Sequence, residues 1–392
     1  MIRYINNNIV NLSFLIVLLI PPTMIGFTIQ FILFLCLLII KRGKKKEIFS
    51  LVVFISIIIS FLVNINEESS FKNNFRVFNF VLLFLFFPIC KYEKIKDTTL
   101  YIALLFIVIS QLSIAYRIPG AINFFDSIYP AGEIFNSEYA KELTSIRDLG
   151  FNRYAGLYRN PNVCAEYLSL LFIVFIIENY NKKMLFITFI STVFFISIML
   201  TGSRTGAVTF LLVILAYLFF NRKYKYLFLI FVFGIFFIVK NFWNSSEIRI
   251  FNITQGFQEG GSFSLKLKIL IAYLNKPNLD IVHLLFGNFT IDNSFSIYKI
   301  GMFDSGTSNY FYSFGLIGLF SIASFYWYLL SFKNINTYLL MLINIFAISS
   351  GVLIIYRMSF LFILLLSNYY SLHNQREFND SIISANFSRK TF

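Results

Sequence analysis

The feature that most constrains this chain is a series of apolar windows, each about as long as a membrane-crossing helix. A helix needs about 20 largely apolar residues to cross a bilayer, and the 392-residue chain has twelve windows near that length. Only 13% of its residues are charged, whereas a soluble domain is about one-quarter charged. We therefore predict an all-α, polytopic integral membrane protein with a single transmembrane domain. The predicted spans lie near 5–21, 23–40, 48–64, 75–90, 98–117, 163–179, 184–201, 205–220, 226–239, 309–330, 337–355 and 358–372.

Basic residues fall in alternate short loops between these windows. The net charge is +14, and lysines in these loops supply much of it. Cytoplasmic loops of membrane proteins carry such an excess, so we expect these loops and both termini to be cytoplasmic. The charge then reflects orientation and does not indicate nucleic-acid binding. The loops are marked by Lys41–Lys46, Lys91–Lys96, Lys182-Lys183, Arg222–Lys225 and Lys333.

Two long hydrophilic segments, 118–162 and 240–308, interrupt the succession of predicted spans. In the predicted topology both lie on the outer side of the membrane, opposite the cytoplasm. Loops of this length in a compact protein are usually functional or disordered. We expect partly ordered caps, with helix-like patches at Ala140–Asp148 and Ser262–Leu274. No internal repeat is recognisable, which weakens a transporter of inverted halves. The scattered cysteines and isolated histidines predict neither a disulfide framework nor a metal site.

The arginines on the outer side carry the functional signal. A guanidinium offers a planar fork of donors that matches phosphate oxygens, and an anion also favours a helix N-terminus. Asn160 and Pro161 predict a helix start, and Ser203 precedes another. If these ends converge they form an anion site; otherwise the arginines reach individually to lipid phosphates. The predicted anion-binding residues are Arg153, Arg159, Arg204, Arg357, Asn160 and Asn162.

Three segments together resemble the O-antigen polymerase and O-antigen ligase superfamily. They are Arg153–Asn162 with Ala165, Thr201–Ala207, and Asp304–Gly318. The resemblance implies a GT-C-type glycosyltransferase of the bacterial inner membrane, acting at its periplasmic face without a metal, a cofactor or a nucleotide sugar. It also implies an undecaprenyl-diphosphate-linked oligosaccharide as substrate, within the membrane lipid, and a chain-length-determinant protein as partner.

The third segment favours a polymerase over a ligase. Ligases of this superfamily usually carry His-Asn eleven residues before the glycine of Gly-Leu-Ile-Gly, and here Asp304 occupies that position. We therefore expect polymerisation of lipid-linked repeat units. The first alternative is a ligase that transfers the glycan to lipid A core or another acceptor. The second, of another class, is a flippase for the same lipid-linked unit.

Glycosyl transfer assigns roles to a few residues. The leaving lipid diphosphate needs cations to stabilise its developing charge, and Arg204 is the foremost candidate. The acceptor hydroxyl needs a general base, for which Asp304 is the first choice and Glu166 the second. The structural alternatives are that Asp304 caps a turn and that Glu166 only partners an arginine.

Overall fold

The computed structural model describes about two fifths of the chain. The described residues are 2–19, 28–29, 32–33, 36, 48–64, 95–116, 118–120, 124, 154, 156, 161–179, 182–220, 271, 274, 280–288 and 306–330. Within them no β-strand occurs, and the prediction of an all-α fold is confirmed for this part. Its helices are α1 (Ile2–Leu19), α2 (Ile48–Val63), α3 (Asp97–Ala115), α4 (Pro161–Glu178), α5 (Met184–Thr201), α6 (Arg204–Phe220), α7 (Ile281–Phe286) and α8 (Gly306–Leu330).

Seven of the predicted spans coincide with helices to within a few residues, and these are α1 to α6 and α8. The short helix α7 was not predicted. Helix α8 differs from its prediction as well, because its backbone leaves the helical conformation at Gly315. The predicted spans at 75–90, 226–239, 337–355 and 358–372 lie outside the described residues, as do most of 23–40, of both long loops and of their helix-like patches.

Helix α4 is the centre of the larger helix group. Almost all of its side chains from Cys164 to Ile177 are buried, because α4 packs against α3, α5 and α6, and α1 packs on α3. The ring of Phe172 lies 4.5 Å from that of Phe210 and 5.2 Å from that of Phe194, measured between centroids. A helix that is apolar all round belongs in such a position. A smaller group consists of α2, α7 and α8 packed together.

Polar side chains join the starts of α3 and α5. The Lys182 ammonium donates to the Asp97 carboxylate at 3.0 Å, and the backbone N–H of Lys96 donates to Asn11 of α1 at 2.7 Å. Two of the predicted basic loops therefore lie at the same end of the larger group. At about 1.5 Å per residue, the last turns of α3 lie roughly 20 Å away. We call the end that carries Lys96, Asp97 and Lys182 the basic end. The opposite end, where α3 and α5 finish, is called the motif end.

Among the described helices, α3 and α5 are long and apolar enough to cross a membrane, at 19 and 18 residues. Both also present large apolar side chains outward. Leu105 of α3 is 59% exposed and Phe189 of α5 is 66% exposed. Apolar surface of this kind marks contact with a membrane or with another protein.

Candidate functional site

The second motif segment forms the tight turn between α5 and α6. Gly202 adopts the left-handed conformation, with φ 60° and ψ 21°, and its N–H bonds to the Met199 carbonyl. Glycine is favoured there because it has no Cβ to clash. The Ser203 hydroxyl then accepts a hydrogen bond from the Gly206 N–H at 3.3 Å, as an N-cap does. One helix therefore ends and the next begins within two residues, and Arg204 is the first residue of α6.

The first motif segment meets this turn at residue 154. The Tyr154 N–H donates to the Leu200 carbonyl near the end of α5, with an N···O distance of 2.9 Å. The Tyr154 carbonyl accepts a hydrogen bond of 3.1 Å from the side-chain amide of Gln111 in α3. Gly156 follows with φ 56° and is buried. Two segments that lie some 45 residues apart in the chain are thus neighbours at the motif end.

The N-terminal turns of α4 and α6 also pack closely at this end. A Cβ added at Gly206 would lie 2.6 Å from the Cβ of Ala165, so glycine is what allows the two backbones to approach. Both helices present their first turns to the same region, where free N–H groups and the helix dipoles favour an anion. Glu166 follows Ala165 directly and is partly buried.

The predicted site residues fall into two sets. In the described part, Arg204 begins α6, Asn162 is the second residue of α4, and Glu166 lies one turn inside α4. The structure therefore brings together the regions that carry these three residues. The remaining predicted site residues lie outside the described residues, and they are Arg153, Arg159, Asn160, Arg357 and Asp304. Helix α8 begins at Gly306, two positions after Asp304.

Polar residues beneath the motif end were missed by the sequence analysis. Gln111 and Ser197 are buried in largely apolar helices. Gln111 bonds to Tyr154, and Ser197 bonds to Gln111. A polar residue inside a candidate span is a signal for function or packing. Gln111 could have been selected on that ground, because it interrupts the apolar sequence of α3.

A second set of buried contacts holds α8 against α2 and α7. The Asn64 side-chain amide donates to the carbonyls of Ser60 at 2.8 Å and Gly287 at 3.0 Å. The Ser60 hydroxyl donates to the carbonyl of Phe286. The backbones of Gly287 and Gly315 approach each other closely, since a Cβ on Gly287 would come within 2.5 Å of the Gly315 nitrogen. The helical part of the third motif segment, which begins at Gly306, is therefore held against α2 and α7.

Two charged groups in loops have shifted pKa values. The hydrogen bond and charge of Asp97 raise the pKa of Lys182, which keeps this lysine cationic at the basic end. The backbone N–H groups of His283 and Val282 donate to Asp280 and lower the pKa of its carboxyl. Asp280 therefore caps α7 as an anion.

Comparison of the chain with protein-family models, with curated proteins and with solved structures gives no match. The motif residues and the geometry of the described helices are therefore what indicates a function. The central element of that geometry is the hydrogen bond between Tyr154 and Leu200, because it joins the two arginine-bearing segments.

Proposed function

We propose that this protein is a membrane-embedded glycosyltransferase of GT-C type that polymerises undecaprenyl-diphosphate-linked repeat units. In this proposal twelve helices cross the bacterial inner membrane, both termini are cytoplasmic, and the reaction takes place at the periplasmic face. The observation that carries it is the Tyr154–Leu200 contact, which joins the segment after Arg153 to the segment before Arg204. A chain-length-determinant protein is the proposed partner.

The chemistry follows from the charge of the leaving group. The bond from the sugar to the lipid diphosphate breaks while the acceptor hydroxyl attacks, so negative charge develops on the diphosphate. Arg153, Arg159, Arg204 and Arg357 are proposed to stabilise that charge, assisted by the α4 and α6 N-termini with Asn160 and Asn162. Asp304 is proposed to take the proton from the acceptor hydroxyl, with Glu166 as the second candidate.

The distribution of charge supports the proposed orientation. Lys96, Lys182 and Lys183 lie at the basic end, while Tyr154 and Arg204 lie at the motif end of the larger helix group. This is the separation expected when one end faces the cytoplasm and the other faces the periplasm. The outward apolar side chains of α3 and α5 fit a lipid environment for the helices between these ends.

The decisive experiment is polymerisation in vitro of a defined lipid-linked repeat unit by the purified protein. We expect a ladder of lipid-linked chains from the protein alone. Transfer only to a separate acceptor such as lipid A core would instead identify a ligase. Movement of the unit across vesicles without new glycosidic bonds would identify a flippase and refute the enzyme proposal.

The arginine variants test the site within the same assay. Arg204→Ala and Arg153→Ala should each abolish polymer formation, because a diphosphate whose negative charge is not stabilised is a poor leaving group. Lysine at either position should restore little, since it lacks the bidentate fork. Lys182→Ala is the matched control, because it removes a cation at the basic end and should leave polymer formation intact. Full-length chains from both arginine variants would contradict the diphosphate site.

A further inference from the structure

Gln111 is a fully buried amide in the last part of α3, surrounded by apolar helices. Burial of an amide away from water is costly unless its donors and acceptor find partners. The sequence offers no local explanation for it, because α3 needs no polar residue at this position to form a helix. Its partners therefore indicate what it does.

The partners of Gln111 lie on three other segments. They are the backbone carbonyls of Tyr154 and Ser197, the Ser197 hydroxyl, and the Cys164 sulfur of α4 at 3.6 Å from Nε2. Its Nε2 donates to the carbonyl of Tyr154 at 3.1 Å and to the carbonyl of Ser197 at 3.1 Å. Its Oε1 accepts a hydrogen bond from the Ser197 hydroxyl. The two donors of one amide thus connect the first motif segment to α5, and the Ser197 hydroxyl fixes the orientation of that amide.

Residue 154 is consequently held on both sides. Its N–H is bonded to the Leu200 carbonyl of α5 and its carbonyl to Gln111 of α3. Arg153 is joined to Tyr154 by one peptide bond, and Leu200 lies four residues before Arg204. Gly156 allows the first motif segment to lie this close to α3, because a Cβ there would lie 3.1 Å from Cγ of Gln111.

We propose that Gln111 is a positioning residue that fixes the backbone of Tyr154 against the end of α5, so that Arg153, next to Tyr154 in sequence, and Arg204, at the start of α6, act on one lipid diphosphate. This inference rests on the function proposed above. Gln111 itself does not touch the substrate. It acts through the backbone of residue 154, which it locks against the end of α5.

The expected kinetic signature is a loss of turnover with substrate binding largely retained. A misplacement of about 1 Å in a catalytic group costs on the order of 100-fold in rate. One arginine left in place still binds the diphosphate, so KM should change much less than kcat. A role of Gln111 in packing alone would lower the amount of folded protein and leave kcat per folded molecule unchanged.

The kinetic test compares two variants of the same helix in the in vitro polymerisation assay. Gln111→Met keeps the length of the side chain and removes its donors. Ser113→Ala is the matched control, because within the described part of the chain the Ser113 hydroxyl bonds only inside α3, to the carbonyls of Ile109 and Ser110. We expect kcat to fall on the order of 100-fold for Gln111→Met and to stay near the parent value for Ser113→Ala. Equal kcat in both variants would overturn the inference.

A cross-linking measurement separates this inference from the proposed function. Tyr154→Cys with Leu200→Cys should form a disulfide readily in a protein whose own cysteines are replaced by serine, which keeps an acceptor at Cys164 for the Gln111 amide. Gln111→Met should reduce its yield strongly and Ser113→Ala should not. If the parent protein makes no polymer while the cross-link still depends on Gln111, the proposed function fails and the structural role of Gln111 stands. A cross-link that is insensitive to Gln111→Met overturns the inference.

Ser197→Ala provides a second variant in case Gln111→Met does not insert. It removes the hydroxyl that orients the Gln111 amide and leaves both amide donors in place. We expect a decrease in kcat and in cross-link yield of the same sign and smaller size. Parent-like values of both quantities in Ser197→Ala would in that case reject positioning by this amide.

Discussion

The larger and the smaller helix group are each held together by a buried side-chain amide. The surroundings of the two amides differ in how far they can move. In the Gln111 joint (Gln111, Tyr154, Gly156, Ser197 and Leu200) the amide bridges the carbonyls of Tyr154 and Ser197. In the Asn64 joint (Ser60, Asn64, Gly287 and Gly315) the amide bridges the carbonyls of Ser60 and Gly287. Each joint contains glycine with positive φ.

The difference lies in what surrounds those glycines. A Cβ on Gly156 would first meet the side chain of Ser110, which can rotate. A Cβ on Gly287 would instead meet the backbone of residues 313–315, and a Cβ on Gly315 would meet the backbone of Leu285 and Phe286. Around its glycines the Asn64 joint is therefore rigid, whereas in the Gln111 joint the Ser110 side chain next to Gly156 can adjust. The hydrogen bonds of Gln111 still hold the backbone of Tyr154 in place.

The largest effect should come from breaking the rigid joint. Gly315→Ala adds a methyl group against the backbone of Leu285 and Phe286 at positive φ, so strain and overpacking should together cost about 3 kcal/mol or more. Unfolding in mixed detergent micelles measures this loss. Gly120→Ala is the control, since φ is also positive there and nothing lies within 4 Å of the added Cβ.

A smaller effect is expected in the adjustable joint. Gly156→Ala should cost about 1–2 kcal/mol of stability, because Ser110 can move aside. Adding Ser110→Ala should recover part of that loss, since the hydroxyl is the first atom the new Cβ meets. The same unfolding assay decides the matter. A loss as large as that of Gly315→Ala, with no recovery, would remove the distinction between the joints.

The smallest effect concerns the cap of α7 and its pH dependence. The pKa of Asp280 is lowered in the folded protein, so its contribution is present above the ordinary aspartate pKa of about 3.9. That contribution is lost as the pH falls through the lower, folded-state value. Asp280→Asn also caps a helix and should behave like the parent at neutral pH. Hydrogen exchange of α7 should then respond to acid in the parent more than in Asp280→Asn.

The helices were predictable because each is long and apolar, which is a local property of the sequence. Helix α7 was not, since six residues are too few to show a period, although Asp280 and Gly287 mark its ends. The break at Gly315 depends on Gly287, 28 residues earlier, and on Asn64 far upstream. Such a contact has no local signature.

The site was predictable only as a set of segments. Ser203 and Pro161 predicted helix starts because both residue types are typical of such positions, and both starts are observed. That Tyr154 lies beside Leu200 depends on Gln111 and Ser197, whose hydrogen bonds join three separate segments. A hydrogen bond across helices cannot be derived from the period of one helix.

The central claim is that Arg153 and Arg204 act on one diphosphate, and a double-mutant cycle on undecaprenyl diphosphate binding tests it most directly. The affinity is measured for the parent, for Arg153→Ala, for Arg204→Ala and for the double variant. Groups that share a ligand show coupling on the order of 0.5–3 kcal/mol, and we expect a value in that range. Losses that add to within about 0.5 kcal/mol, or binding unchanged in either single variant, would contradict the account.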